Sequence, residues 1–445
     1  MEEIMTEETV YTLDIALKRA STEQILDCAL IALKNNSVTH SSLSVRDVSG
    51  NSGSKTYLCS DDAGPKCIVK VSSGESIMNS HSLTIERVNA ATKALRQNKV
   101  APPILMRGAD FHVELSAGTT VMKDFFHFED ELAPPSELAN LMARIHSTPT
   151  DWYVSLKRKF LQRDTKIAKI LRQIPPQAPA WCLPWSGIDT GMPVLGVGNP
   201  DPNVARKILE LQLDTGVFHK IMNCSAFYPT SHAAMRDVVV HNDFKPDNVL
   251  RNPATGKLTA IDYDLVQVGP AVMDFGLPFM MWLGSRFTTL EFRKLFIKEY
   301  LIACRLPSDK KSVDDFLLDC EVNTIVAFPG LLSNIYDAEI PLLRGIRHPT
   351  AKAGFQSGGP SVSPSGPDLV ELLAQAVGKV RSDSTLRAAC LEEGLVVTMF
   401  KREGFGSSDL FKFLKEIQGQ KMLRLFGIAE TDHGEIFVSE HAREN

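Results

Sequence analysis

Between two short apolar runs the chain reads "DVVVHNDFKPDNVL", residues 237–250. The valine-rich flank and the closing Val-Leu read as strands, and the Asn, Asp and Pro between them as a tight connection. Such a connection delivers Asp243 and Asn248, five positions apart, to one edge of a cleft. That is the pair a phosphoryl-transfer centre needs. A carboxylate orients the attacking hydroxyl and accepts its proton, and an amide oxygen takes a magnesium ion. In this setting His241 braces the loop and Lys245 reaches the transferred phosphate. A turn without chemistry draws on the same residue types, so the rest of the chain has to supply the remaining parts.

The chain has 445 residues, enough for two or three domains or one large two-lobed enzyme. Its net charge of −5 offers no general attraction to nucleic acid or anionic lipid. The eight cysteines are scattered with no C-x-x-C pair, which argues against a zinc cage or a disulfide framework and fits a reducing compartment. The acidic N-terminus lacks the basic flank and apolar core of a signal peptide. The longest strongly apolar stretch, 25–33, is interrupted by Asp27 and is too short for a bilayer. These features predict a soluble cytoplasmic protein with no membrane insertion and no nucleic-acid partner.

Residues 21–36 read as a helix with a Ser/Thr start, within an N-terminal helical extension over 1–42. From 43 to 125, apolar runs separated by Gly, Asn, Ser and Asp predict three strands, a helix over 82–98, and two further strands. After 126 the chain turns mainly helical, beginning with 135–147 and running to about 435, with a tail over 436–445. Two loop-rich segments, 173–204 and 347–368, interrupt this part. The pattern is α+β: a small β-rich N-lobe followed by a large, mainly helical C-lobe.

The loop resembles the H-x-D-x-x-x-x-N loop shared by protein kinases and by the aminoglycoside phosphotransferase and choline/ethanolamine kinase families. The resemblance implies a bilobal protein-kinase-like fold, ATP and Mg2+ as cofactors, and a metal-binding carboxylate a little under twenty residues past the loop aspartate. Asp262 lies nineteen past Asp243, whereas Asp274, in a literal D-F-G, lies thirty-one past it. The intervening segment reads strand, turn, strand, and as a hairpin it returns Asp262 to the side of Asn248. Asn248 and Asp262 are therefore the expected metal ligands. Asp274 matches the family's structural aspartate, which ties down the catalytic loop through backbone hydrogen bonds. Asp264 matches a glutamate that supports the metal or substrate site.

The N-lobe supplies parts for a nucleotide. Gly50-Asn51-Ser52-Gly53-Ser54 can form a turn whose amides face phosphate. The stretch approaches a Walker loop, but Ser54 replaces a required glycine and a strand follows where a helix is needed. Lys70 lies within an apolar strand, and the resemblance pairs it with Glu86 on the next helix. Met122-Lys123-Asp124 would be the hinge that contacts adenine. His146 reads as a partly buried structural histidine.

From Asp124 through His241 the chain runs 118 residues, and no activation loop follows Asp262. Both features favour small-molecule kinases over protein kinases. The segments 100–108, 143–153 and 260–264 have counterparts in choline/ethanolamine kinases, and Trp282 sits where that family often has tryptophan. Pro278, Met281 and Ala271 replace its usual histidine, glutamate and arginine, while Phe411 and Leu414 stand where two tryptophans are found. Asp264, Trp282 and Phe411 are the expected substrate contacts. The expectation is an ATP-dependent kinase of a small alcohol acceptor, choline or ethanolamine, with a sugar- or aminoglycoside-like acceptor or a silent nucleotide-binding scaffold as alternatives. A homodimer is left open.

Overall fold

The computed structural model describes residues 11–12, 15–17, 20–49, 55–71, 82–124, 127–128, 131–164, 166–173, 223–263, 266–277, 290–326, 369–393, 395, 398, 428–430 and 436–438. The 347–368 loop lies outside these residues, as does the 173–204 loop beyond its first residue. So do the expected substrate contacts Asp264, Trp282 and Phe411, and the turn 50–54.

The first part of the chain is built on one six-stranded sheet. Its order is β1 (Tyr11–Thr12), β5 (Ile104–Arg107), β6 (Phe111–Leu115), β4 (Gly64–Val71), β3 (Lys55–Asp61), β2 (Ser44–Asp47). Four of its pairings are antiparallel, and β1 joins the edge parallel to β5. The sequence reading missed this two-residue strand because it is too short to show a period. Helix α1 (Thr22–Asn35) opens with a capping box: Gln24 N–H donates to Ser21 Oγ, and Ser21 N–H donates to Gln24 Oε1. Its buried stripe of Ile25, Cys28, Ala29, Ala32 and Leu33 shares one core with Val69, Val71, Met106 and Val113 of the sheet. The helical extension is thus part of the same packed unit as the strands. Helix α2 (Ser82–Gln97) follows β4.

A short strand, β7 (Thr119–Thr120), leaves this part and pairs with β11 (Val249–Arg251) of the hairpin β11–β12 (Leu258–Ala260). Gly118 precedes it at φ +128°, and an added Cβ there would fall on the Arg251 carbonyl. Only glycine accepts both the conformation and the close approach.

The later part is helical. Helix α3 (Pro135–His146) starts with proline at its first turn, where the missing N–H costs nothing. Its Leu138, Leu141, Met142 and Ile145 form an apolar stripe at i, i+3, i+4, i+7. They enter the large core with Phe296, Ile297, Tyr300 and Leu301 of α8 (Leu290–Ala303) and Phe316 of α9 (Lys310–Val326). Helices α4 (Asp151–Leu161) and α5 (Lys166–Gln173) follow α3. Then come the short α6 (His232–Met235), the antiparallel pair β10 (Asp237–Val240) and β13 (Gln267–Pro270), and α7 (Met273–Leu277). Helices α10 (Leu369–Ser382) and α11 (Ser384–Glu393) complete the described helical part. No helix among the described residues is long and apolar enough to cross a membrane.

The β7–β11 pairing links the two parts, and Gly118 controls it. Gly118→Ala is expected to cost about 2 kcal/mol or more through forced backbone strain. Urea unfolding measures it, and a change under about 0.5 kcal/mol, the range of ordinary surface substitutions, contradicts this role.

Candidate active site

The site begins with the residue expected to be its structural aspartate. Asp274, the D-F-G aspartate, is buried, and its carboxylate accepts the backbone N–H of His241 (2.7 Å) and of Asn242 (2.7 Å). On its other side His146 Nε2 lies 3.0 Å from Oδ2, while His146 Nδ1 lies 2.7 Å from the Tyr300 hydroxyl. Burial would raise the Asp274 carboxyl, but the hydrogen bond from His146 and the charges of His146 and His241 hold it below the usual carboxylate range. Phe275 is fully buried with its ring 4.8 Å from both Tyr300 and Phe316. Asp274 thus fastens the loop to the helical core, the structural position its sequence match implies.

His241 is buried under the loop. Its Nδ1 accepts the Asp243 N–H at 3.3 Å and its Nε2 faces the Ile261 carbonyl at 2.9 Å, which places the ring proton on Nε2. Burial keeps this imidazole below its ordinary pKa, against the pull of the Asp274 and Asp262 charges. The ring rests on Tyr263, 4.7 Å away between centroids.

Asn242 and Asp262 both have φ +63°, a left-handed conformation that asparagine and aspartate tolerate best among residues with a side chain. Asn242 bends the chain so that Asp243 turns out of the strand. Asn248 N–H then bonds the Lys245 carbonyl at 3.0 Å, closing a 3-10 turn over Pro246–Asn248. Asn248 Nδ2 donates to both the Asp243 carbonyl and its Oδ2, each at 2.9 Å, which leaves Asn248 Oδ1 as a free acceptor. In the β11–β12 register Val249 faces Ala260, and Ile261 N–H donates to the Asn248 carbonyl at 2.9 Å. The hairpin therefore does return Asp262 to the side of Asn248.

Charges are concentrated here. Lys245 Nζ lies 3.2 Å from Asp243 Oδ2 and 3.4 Å from Asp247 Oδ2. Burial pushes the Asp243 carboxyl up to about 7; Asp262 and Asp247 add to the rise and Lys245 opposes it. Burial would lower the Lys245 ammonium, but Asp243 and Asp247 outweigh it and hold it above the usual lysine value. Among the described residues no group of three or more His, Cys, Asp or Glu side chains converges as a metal cage. One carboxylate and one amide oxygen suit a hard cation that keeps waters and takes its other ligands from phosphates, as Mg2+ does.

Lys70, next to last in β4, lies directly opposite His112 of β6, and its Nζ lies 3.8 Å from Glu114 Oε2. His112 Nε2 contacts the other Glu114 oxygen at 2.8 Å. Burial would raise the Glu114 carboxyl, but Lys70, His112 and Arg96 hold it at about 2. The expected Lys70–Glu86 pair is not formed. The phase of α2 turns Arg87 fully inward and Glu86 to the surface, where Glu86 pairs with Lys159 of α4 at 2.6 Å. Sequence reasoning missed Glu114, although its place two residues after His112 on a buried strand was a usable signal.

Met122-Lys123-Asp124 forms a strand, β8, with Met122 opposite Phe128 and Asp124 opposite His127. Gly50, Asn51, Ser52, Gly53 and Ser54 lie outside the described residues, and so do Asp264, Trp282, Phe411, Leu414, Pro278 and Met281.

Several solved structures are similar to the chain. The chain is similar to an ethanolamine kinase of Plasmodium vivax at 12% identity and TM-score 0.45, over 83% of this chain and 91% of that one. It is similar to a choline kinase of Cryptosporidium parvum Iowa II at 16% identity and TM-score 0.41, over 91% and 98%. An aminoglycoside-3'-phosphotransferase of type VIII matches at 17% identity and TM-score 0.35, over 65% and 96%. Likeness at these levels says nothing of substrate. No curated protein matches the chain in sequence. The model of the phosphotransferase enzyme family, APH, matches residues 44–306, more than half of the chain. That span includes the loop 241–248 and Asp262, and the chain belongs to the phosphotransferase enzyme family.

Proposed function

We propose that this phosphotransferase is an ATP-dependent kinase acting on the hydroxyl of a small amino alcohol, with choline or ethanolamine the leading acceptors, in the cytoplasm. The observation that carries the reading is Asp243: a carboxyl raised to about 7, on a loop held at both ends, beside a lysine and a pair of metal-type donors. A general base works best with a pKa near the operating pH.

Asp243 Oδ2 is held by Asn248 and Lys245, so Oδ1 is the oxygen that meets the acceptor hydroxyl. As the acceptor oxygen bonds the γ-phosphorus, its proton passes to Asp243, and the bond to the β-phosphate oxygen breaks to release ADP. Lys245, beside Asp243, offsets negative charge on the transferred group. Lys70, oriented by Glu114, would hold the phosphates of the nucleotide. Asn248 Oδ1 and Asp262 would hold Mg2+, which when bound neutralises charge on the phosphate oxygens. The 50–54 turn would cover those phosphates, and the backbone of Met122–Asp124 would meet adenine. Asp264, Trp282 and Phe411 are proposed to line the acceptor pocket. The choice of acceptor rests on the sequence resemblance to choline/ethanolamine kinases.

Acceptor-dependent ATP consumption over a panel of amino alcohols, sugars and aminoglycosides tests the reading. Choline or ethanolamine is expected to be turned over, with Asp243→Ala lowering the rate by about 10²- to 10⁴-fold. Mg-ATP binding without turnover of any acceptor would favour a silent scaffold.

The Asp243 carboxyl also makes a stability signature. Its pKa is raised in the folded protein, so its favourable contribution is present in acid and is lost as pH rises from the ordinary aspartate range through about 7. Without nucleotide or metal, the melting temperature of Asp243→Asn is expected to gain on wild type over that window and then level off. A pH-independent difference contradicts the assignment.

The two aspartates past the loop separate by experiment. Asp262→Asn is expected to abolish activity and weaken Mn2+ binding to the ADP complex while the fold is kept. Asp274→Asn is expected to lower stability by about 2 to 3 kcal/mol, since charge-assisted bonds to the loop are lost, and to leave metal binding in place. A folded Asp274→Asn protein that alone loses the metal would reverse the assignment.

A further inference from the structure

The charge of this chain is unevenly distributed. Seven cations and a single carboxylate, Asp164, lie between Lys157 and Arg172, in a chain whose net charge is −5. The net value therefore hides a basic stretch spanning α4 and α5, three of whose cations, Lys157, Arg158 and Arg172, line one hollow.

That face has a definite shape. A hollow of about 610 Å³ opens there, lined by Val154, Lys157, Arg158, Leu161, Gln162 and Arg172. The first four recur at i, i+3, i+4 and i+7, so they share one side of α4. The other side of that helix, Tyr153, Leu156 and Phe160, is buried. Val154 is 59% exposed, an apolar side chain standing in solvent among cations. Arg172 reaches across from α5, where its Nη1 donates to the Leu161 carbonyl at 2.6 Å. Two nearby carboxylates are already engaged, Glu86 with Lys159 and Asp164 with Lys169 at 2.7 Å. None of these residues belongs to the loop and hairpin that carry the phosphotransfer chemistry.

We propose that the α4–α5 face docks the protein on an anionic lipid surface. Cations on the rim suit lipid phosphates and carboxylates, and each basic residue held near such a surface adds to the attraction. The exposed Val154 suits the boundary between headgroups and acyl chains, where amphipathic faces place their apolar side chains. A platform for single-stranded nucleic acid would instead present aromatic faces for stacking. Here Tyr153 is buried, and the Trp152 indole is tied back to the Pro149 carbonyl at 2.8 Å. The docking is peripheral and does not depend on which acceptor the enzyme uses.

Co-sedimentation of the full chain with vesicles tests this. Binding is expected to phosphatidylcholine vesicles containing phosphatidylserine, not to phosphatidylcholine alone, and it should be released by high salt. Lys157→Glu/Arg158→Glu keeps the Arg172 anchor and is expected to lower partitioning by about tenfold or more in a protein that circular dichroism shows to be folded. Val154→Ser should weaken vesicle binding. The proposal is overturned if wild type ignores the anionic vesicles or if the double variant binds them equally well. It is also overturned if a duplex oligonucleotide binds more tightly than the vesicles and Val154→Ser has no effect on vesicle binding.

Discussion

One buried carboxylate holds the catalytic loop in place. Asp274 receives two consecutive backbone N–H groups at the point where β10 becomes the loop, and His146 links it to Tyr300 in the helical core. A carboxylate in so dry a place is costly unless it is fully hydrogen-bonded. Here the bonds it needs are supplied by the backbone of the loop itself. The loop thus cannot drift without leaving a buried charge short of donors. Phe275, packed among Phe296, Tyr300 and Phe316, keeps the carboxylate at that depth.

From that fixed point the rest of the site is built by short-range geometry. The left-handed turn at Asn242 aims Asp243 out of the strand, and Asn248 closes the loop on the carbonyl and Oδ2 of that residue. The β11–β12 register then places a second left-handed residue, Asp262, across from it. Backbone strain of this kind persists only where the surroundings over-determine it. Burial, helped by the nearby Asp262 and Asp247, also raises Asp243, at the expense of stability near neutral pH.

The parts legible in the sequence are those set by local spacing. Asp243, Asn248 and Asp262 share one loop and one hairpin, so counting residues is enough to bring them together. The succession of strands β2 to β6 and the helices α1, α2 and α3 follow from periods and caps. Relations that depend on helix phase or on pairing between distant strands were not legible. Glu86 reads as the partner of Lys70 by spacing, yet one residue of helical rotation gives the inward position to Arg87, and Glu114 on β6 takes the role. The D-F-G spelling pointed to a metal ligand, and only its distance from Asp243 indicated a structural post. Net charge concealed the basic face because whole-chain sums do not report where charges lie.

Asp274 pins the backbone at His241 and Asn242. Hydrogen–deuterium exchange resolved to single amides in the unliganded protein tests it most directly. The account predicts that these two amides exchange as slowly as those of Val239 and Val240 in the adjoining strand, since both are buried in bonds to one carboxylate. Exchange of His241 and Asn242 at the rate of an exposed loop would contradict it.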